Sequence, residues 1–128
     1  MKSLFGNKII NLAIFISGRG TNLKALDKFC SKKKSKFKIS VVITNNKNAK
    51  GLQYCVKKKI ECKIINYKKK YFAEKKILDI LYKKNINLIC LAGFMKILSK
   101  NFLKKFHYPV INIHPSLLPK YKGLNTHK

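Results

Sequence analysis

The sequence predicts an α/β fold, an open and mostly parallel sheet with helices on both faces. Two observations carry this reading. Short runs rich in Ile, Val and Leu alternate along the whole chain with segments of helical apolar spacing, and each run is closed by Gly, Asn or Pro. At 128 residues there is room for one domain, taken as residues 1–128, with a sizeable core. No internal repeat or linker divides it.

Residues 9–16 read as the first buried strand, with Asn11 as its polar interruption. The segment from Thr21 to about residue 33 follows as a helix, since Leu23, Leu26 and Phe29 recur near helical spacing. A second strand covers 39–44 and a second helix 49–58, before a weaker strand at 62–66. Within 71–84, Ala73, Ile77, Ile80 and Leu81 form one face of a third helix. A strand at 88–92, a short helix at 100–106 and a last strand at 110–114 complete the alternation. In a parallel sheet of this kind ligands bind outside the carboxyl ends of the strands, so the strand-to-helix junctions are where chemistry is to be sought.

Charge and cysteine usage narrow the function classes. The chain has 30 basic against 4 acidic residues, a net charge of +26, and Arg19 is its one arginine. Such an excess predicts nonspecific polyanion binding through counterion release. The lysines are nevertheless spread along the chain among abundant Asn and Ile, as biased base composition would produce, and no aromatic-and-basic RNA-recognition motif accompanies them. Cys30, Cys55, Cys62 and Cys90 form no C-x-x-C pair, which argues against a metal site. The start lacks a signal-peptide pattern, and residues 9–16 are too short to span a bilayer, so a cytoplasmic protein with free thiols and no membrane partner is expected.

Three junctions are chemically unusual. Ser17-Gly18-Arg19-Gly20-Thr21-Asn22-Leu23 lies between the first strand and first helix, where glycines permit tight backbone geometry and a helix start favours an anion. Leu23 occupies the third glycine position of a dinucleotide fingerprint, so a single phosphomonoester fits better; the bland alternative is an ordinary turn with Thr21 or Asn22 as helix cap. Leu91-Ala92-Gly93-Phe94-Met95-Lys96-Ile97-Leu98 concentrates apolar residues after a strand, either to line a pocket for a flat heterocycle or simply to pack into the core. In Ile111-Asn112-Ile113-His114-Pro115-Ser116-Leu117-Leu118-Pro119, strand alternation puts Asn112 and His114 on one face. An amide donor beside an imidazole suits acyl transfer, in which a carbonyl oxygen becomes negative and a proton leaves the attacking amine.

Taken in order and spacing, these three motifs, with Gly123-Leu124 and Thr126-His127 behind them, resemble the phosphoribosylglycinamide formyltransferases from about Asn11 onward. The resemblance implies a Rossmann-like formyltransferase N-terminal fold. It also implies formyl transfer from 10-formyltetrahydrofolate, as co-substrate and without a metal, to the amine of glycinamide ribonucleotide in purine synthesis. Gly20, Thr21 and Asn22 would hold the nucleotide phosphate. Met95, Lys96, Ile97 and Leu98 would flank the folate pterin, Lys70 would stand near the folate, and Asn112 and His114 would act on the formyl group. Lys96 replaces an arginine common in the family and Asn125 its usual histidine. The family's catalytic aspartate lies beyond the position of Lys128, and Asp27, Glu61, Glu74 and Asp79 match no such motif. A domain incomplete at its carboxyl end, impaired activity and self-association through an unpaired sheet edge are therefore expected. Methionyl-tRNA formyltransferase and formyltetrahydrofolate deformylase share Asn-x-His and Ser-Leu-Leu-Pro, but the Ser-Gly-Arg-Gly-Thr-Asn loop favours the purine enzyme. A noncatalytic remnant that binds RNA is the alternative of a different class.

Overall fold

A computed structural model describes residues 8–113. Nine elements alternate: β1 (Ile10–Ile16), α1 (Thr21–Cys30), β2 (Phe37–Thr44), α2 (Gly51–Lys58), β3 (Cys62–Ile64), α3 (Lys70–Lys83), β4 (Leu88–Leu91), α4 (Lys100–Lys105) and β5 (Val110–Asn112). The strands lie in the order β3-β2-β1-β4-β5 and every pairing is parallel. The expected α/β sheet is therefore present.

Strand alternation explains the two layers of packing. Ala13 and Phe15 point to one face with Val41, Ile43 and Ile89, where α3 and α4 cover them through Ala73, Ile77, Leu81 and Phe102. Leu12, Ile14 and Ile16 point to the other with Val42 and Cys90, beneath Leu23 of α1 and Cys55 of α2. β1 is thus covered on both faces, and five consecutive residues, Leu12 to Ile16, are buried. Such a run is what a central parallel strand requires.

Element ends differ from the expectation where pairing or charge decides. β2 begins at Phe37 rather than at residue 39, because Phe37 and Lys38 pair with Ile10 and Asn11 and extend the ladder. α1 ends at Cys30, where the Ser31 N–H closes onto the Asp27 carbonyl; the lysines that follow carry no apolar residue to bury. β3 is three residues rather than five; β5 is described over three residues, and the end of the expected 110–114 strand lies outside the described residues.

Candidate active site at the carboxyl edge of the sheet

The strand order reverses between β1 and β4, one half of the sheet running from β1 to β3 and the other from β4 to β5. The crevice outside the carboxyl ends of those two strands is the place where a doubly wound sheet binds its ligands. Both the 17–20 loop and the 92–98 loop leave the sheet there.

Gly20 turns the first loop into α1 with φ 82°. A Cβ there would stand 2.8 Å from the Gly51 Cα, so α2 packs backbone to backbone against this turn, and the Gly51 N–H donates to the Gly18 carbonyl at 3.4 Å. Gly20 is itself the N-cap, and no side chain caps α1, which differs from the reading of Thr21 or Asn22 as an ordinary helix cap. Thr21 is exposed at the first turn. Asn22 turns inward instead: it is 5% exposed, and its amide donates to the Ile113 carbonyl at 3.4 Å. Its Oδ1 is buried with no protein donor among the described residues.

The 92–98 loop is held at three points. Ala92 N–H donates to the Phe15 carbonyl at 2.8 Å and Met95 N–H to the Ser17 hydroxyl at 2.8 Å. Phe94 packs edge-on against Phe15 and Tyr67, with ring centroids at 5.2 and 5.8 Å. Met95 and Ile97 are 78% and 80% exposed, so they are not core residues, whereas Phe94 and Leu98 pack against the α3/α4 cluster. Among the described residues the Lys96 and Ile97 peptide N–H groups meet no acceptor. The Lys96 ammonium lies 5.9 Å from the Tyr67 ring centre. Tyr67 belongs to the segment leading into α3, whose first residue is the exposed Lys70, so Lys70 opens a helix beside the same edge. Burial, followed by the Glu74 charge, pushes the Tyr67 phenol up to about 12, and its hydroxyl has no partner among the described residues.

Asn112 is exposed at the end of β5, in register with Leu91. Val110 packs with the α3/α4 cluster and Ile113 with the α1/α2 cluster, so alternation sets Asn112 on the side of Phe94 and Leu98. His114 and the positions beyond it, Asn125 included, lie outside the described residues.

A formyl transferase family profile matches residues 10–128, nearly the whole chain. The chain belongs to the formyl transferase family. It is 40% identical over 124 residues to the trifunctional purine biosynthetic protein adenosine-3 of Gallus gallus, covering 93% of this chain and 12% of that protein. To the phosphoribosylglycinamide formyltransferase of Haemophilus influenzae it is 39% identical, covering 91% of this chain and 57% of the relative. The crystal structure of phosphoribosylglycinamide formyltransferase from Anaplasma phagocytophilum superposes with a TM-score of 0.76 at 42% identity, over 92% of this chain and 56% of that one. The Brucella melitensis structure gives a TM-score of 0.80 at 34% identity, over 93% and 64%. This formyl transferase chain therefore spans under two thirds of the relatives it matches, and its sheet is the Rossmann-like fold of those structures.

Several residues of the edge were not singled out from sequence. Asn45 accepts from the Ser17 hydroxyl at 2.5 Å, and Asn46 donates from its side chain to the Ser17 carbonyl at 2.9 Å. Glu74, 7% exposed on α3, accepts from both the N–H and the hydroxyl of Ser99, at 2.8 and 2.5 Å, and so fixes the far end of the 92–98 loop of this family member. The Asn45-Asn46 doublet at the carboxyl end of β2 was the available signal. Tyr67 and Glu74 carried none. No group of three or more His, Cys, Asp or Glu side chains among the described residues is placed to hold a metal ion, and no helix among them is long and apolar enough to cross a membrane.

Proposed function

We propose that this chain contributes to formyl transfer from 10-formyltetrahydrofolate to the amine of glycinamide ribonucleotide. The observation that carries the reading is the convergence of the 17–22 loop, the 92–98 loop and the end of β5 on one crevice, joined by the Ser17–Met95 and Asn22–Ile113 hydrogen bonds. Family membership and the names of the relatives support it.

In this reading the uncapped N–H groups at Gly20, Thr21 and Asn22 receive the nucleotide phosphate, with the helix dipole behind them. The exposed apolar side chains of Met95 and Ile97 flank the folate pterin. Its ring edge meets the free peptide groups of 96–98, with Leu98 supporting the loop from below and Lys70 and Lys96 favouring the anionic folate. The amine nitrogen attacks the formyl carbon and the carbonyl electron pair moves onto oxygen. The Asn112 amide and the His114 imidazolium stabilise that oxyanion. Collapse breaks the bond to the folate nitrogen, which takes a proton as the amine loses one, and an imidazole near neutral pH can relay it. Titration of glycinamide ribonucleotide, followed by the Gly20 and Thr21 amide resonances, tests the reading. Saturable shifts confined to those positions are expected, and no shift at millimolar nucleotide would overturn it.

A second reading, polyanion binding, is favoured by one specific surface. A groove of about 420 Å³ between α1 and α2 is lined by Lys24, Lys28, Lys32 and Lys58. Its one acid, Asp27, is engaged by the Tyr54 hydroxyl at 2.5 Å, and the Lys24 and Lys58 ammonium groups sit 5.8 and 6.0 Å from the Tyr54 ring centre. The field there remains basic, which suits an RNA backbone without regard to sequence.

A further inference from the structure

We infer that Ser17 is a positioning residue that couples the nucleotide half of the site to the folate half. The inference rests on the proposed formyl transfer. Its own ground is the set of contacts converging on this side chain and its peptide. A serine hydroxyl has one hydrogen to donate and lone pairs to accept. Here the hydrogen goes to Asn45 Oδ1 at 2.5 Å, which turns a lone pair toward the Met95 N–H, 2.8 Å away. The Ser17 carbonyl meanwhile accepts from the Asn46 side chain at 2.9 Å. This one residue of the loop after β1 thus bonds to the loops that follow β2 and β4, and it is 6% exposed, so water does not readily replace those partners.

Ser17 opens the first binding loop in sequence and meets the second in space. On one side it leads directly into Gly18 and the Gly20 turn, which α2 buttresses through Gly51. On the other it holds the peptide of Met95, at the head of the 95–98 stretch that faces the pterin. An anion that orders the Gly20 turn therefore restricts Ser17, and Ser17 restricts the Met95 peptide before folate arrives. Nucleotide binding tightens folate binding, and by linkage folate tightens nucleotide binding by the same factor. Ser17 touches neither ligand in this scheme.

The test measures tetrahydrofolate affinity with and without saturating glycinamide ribonucleotide in the wild-type chain, Ser17→Ala and Ser17→Thr, alongside hydrogen exchange at the Met95 amide. The nucleotide is expected to tighten folate binding about fivefold or more in the wild type. The factor should fall to near one in Ser17→Ala and return in Ser17→Thr, which keeps the hydroxyl. Met95 exchange should quicken in Ser17→Ala while the Cys55 amide in α2 stays protected, which separates loosening of one loop from general unfolding. Coupling that survives in Ser17→Ala, or Met95 exchange unaltered there, overturns the inference while leaving the functional reading intact. Failure of the wild type to bind either ligand overturns the functional reading and the coupling with it.

Discussion

The Asn22 side-chain amide donates to the Ile113 carbonyl at 3.4 Å, joining residues 91 positions apart across the carboxyl edge of the sheet. The first turn of α1 is thereby tied to the residue that follows Asn112. Loss of this bond leaves a carbonyl short of a partner, so Asn22→Ala is expected to lower stability by about 1 kcal/mol. Asn22→Asp should cost more, since a carboxylate would face the carbonyl oxygen. Urea midpoints for the two variants check the order, and equal midpoints would contradict it.

Gly20→Ala should destabilise by more than about 1 kcal/mol, because the backbone there has φ 82° and the added methyl meets the Gly51 backbone at 2.8 Å. Gly51→Ala should also be costly, as its Cβ would fall 2.4 Å from the Ile16 Cδ1 inside the core. Gly18→Ala is the control, with nothing within 4 Å of its Cβ. Thermal melts of the three variants should separate the first two from the third.

Glu74→Ala removes the acceptor of two hydrogen bonds from Ser99, the residue whose hydroxyl also accepts the Phe102 N–H to cap α4. A loss of about 1–3 kcal/mol is expected for a site this buried. Faster hydrogen exchange at the first turn of α4, with β1 amides unaffected, is the accompanying signature. Wild-type exchange at Phe102 in the variant would show that the carboxylate does not hold the cap.

Burial, with a smaller contribution from Cys30, pushes the Cys90 thiol up from 9.0 to about 11; burial and then Asp27 raise Cys30 to about 11 as well. Both folded values exceed the unfolded one, so the folded state holds these protons more tightly. The stability they contribute is complete below pH 9 and is lost as pH rises toward 11. Native protein at pH 8 should resist alkylation by iodoacetamide at both positions, as read by mass spectrometry of labelled peptides. Labelling of Cys90 as fast as in urea would refute this.

For the polyanion surface, reversing Lys28 and Lys32 to Glu should weaken binding to unstructured RNA more than reversing Lys75 and Lys76 on α3, although the charge change is the same. Fluorescence anisotropy across salt concentrations distinguishes them, and a steep salt dependence is expected in every case. Equal losses would mean that net charge alone attracts RNA.

The sheet was legible because its strands are apolar runs and its helices carry apolar faces, signals that local pattern preserves. Val110 and Ile113 fall in opposite clusters, as strand alternation requires; the shared face expected for Asn112 and His114 lies partly outside the described residues. The fine structure of the edge was not legible. Ser17 was visible as part of a motif but not as the partner of Met95, 78 residues away, because hydroxyl-to-amide bonds of that span leave no periodic trace. The inward turn of the Asn22 side chain is not legible either, because its acceptor, the Ile113 carbonyl, lies 91 residues away. Strand ends moved for a related reason: pairing partners, not composition, set where β2 begins.

The central position of β1 also orders the events of folding. Its pairing with β2 is nearly local, but its other edge waits for β4, and the Asn11 N–H reaches its acceptor in Asn87 only across 76 residues. Closing so long a loop costs entropy that the nearer pairing avoids. As the chain leaves the ribosome, β1, β2 and β3 can therefore assemble first, with one edge of β1 open until β4 emerges. The crevice between β1 and β4 then exists only once β4 has emerged, with β5 still to join the edge, so a ligand bound there would report that synthesis has passed β4.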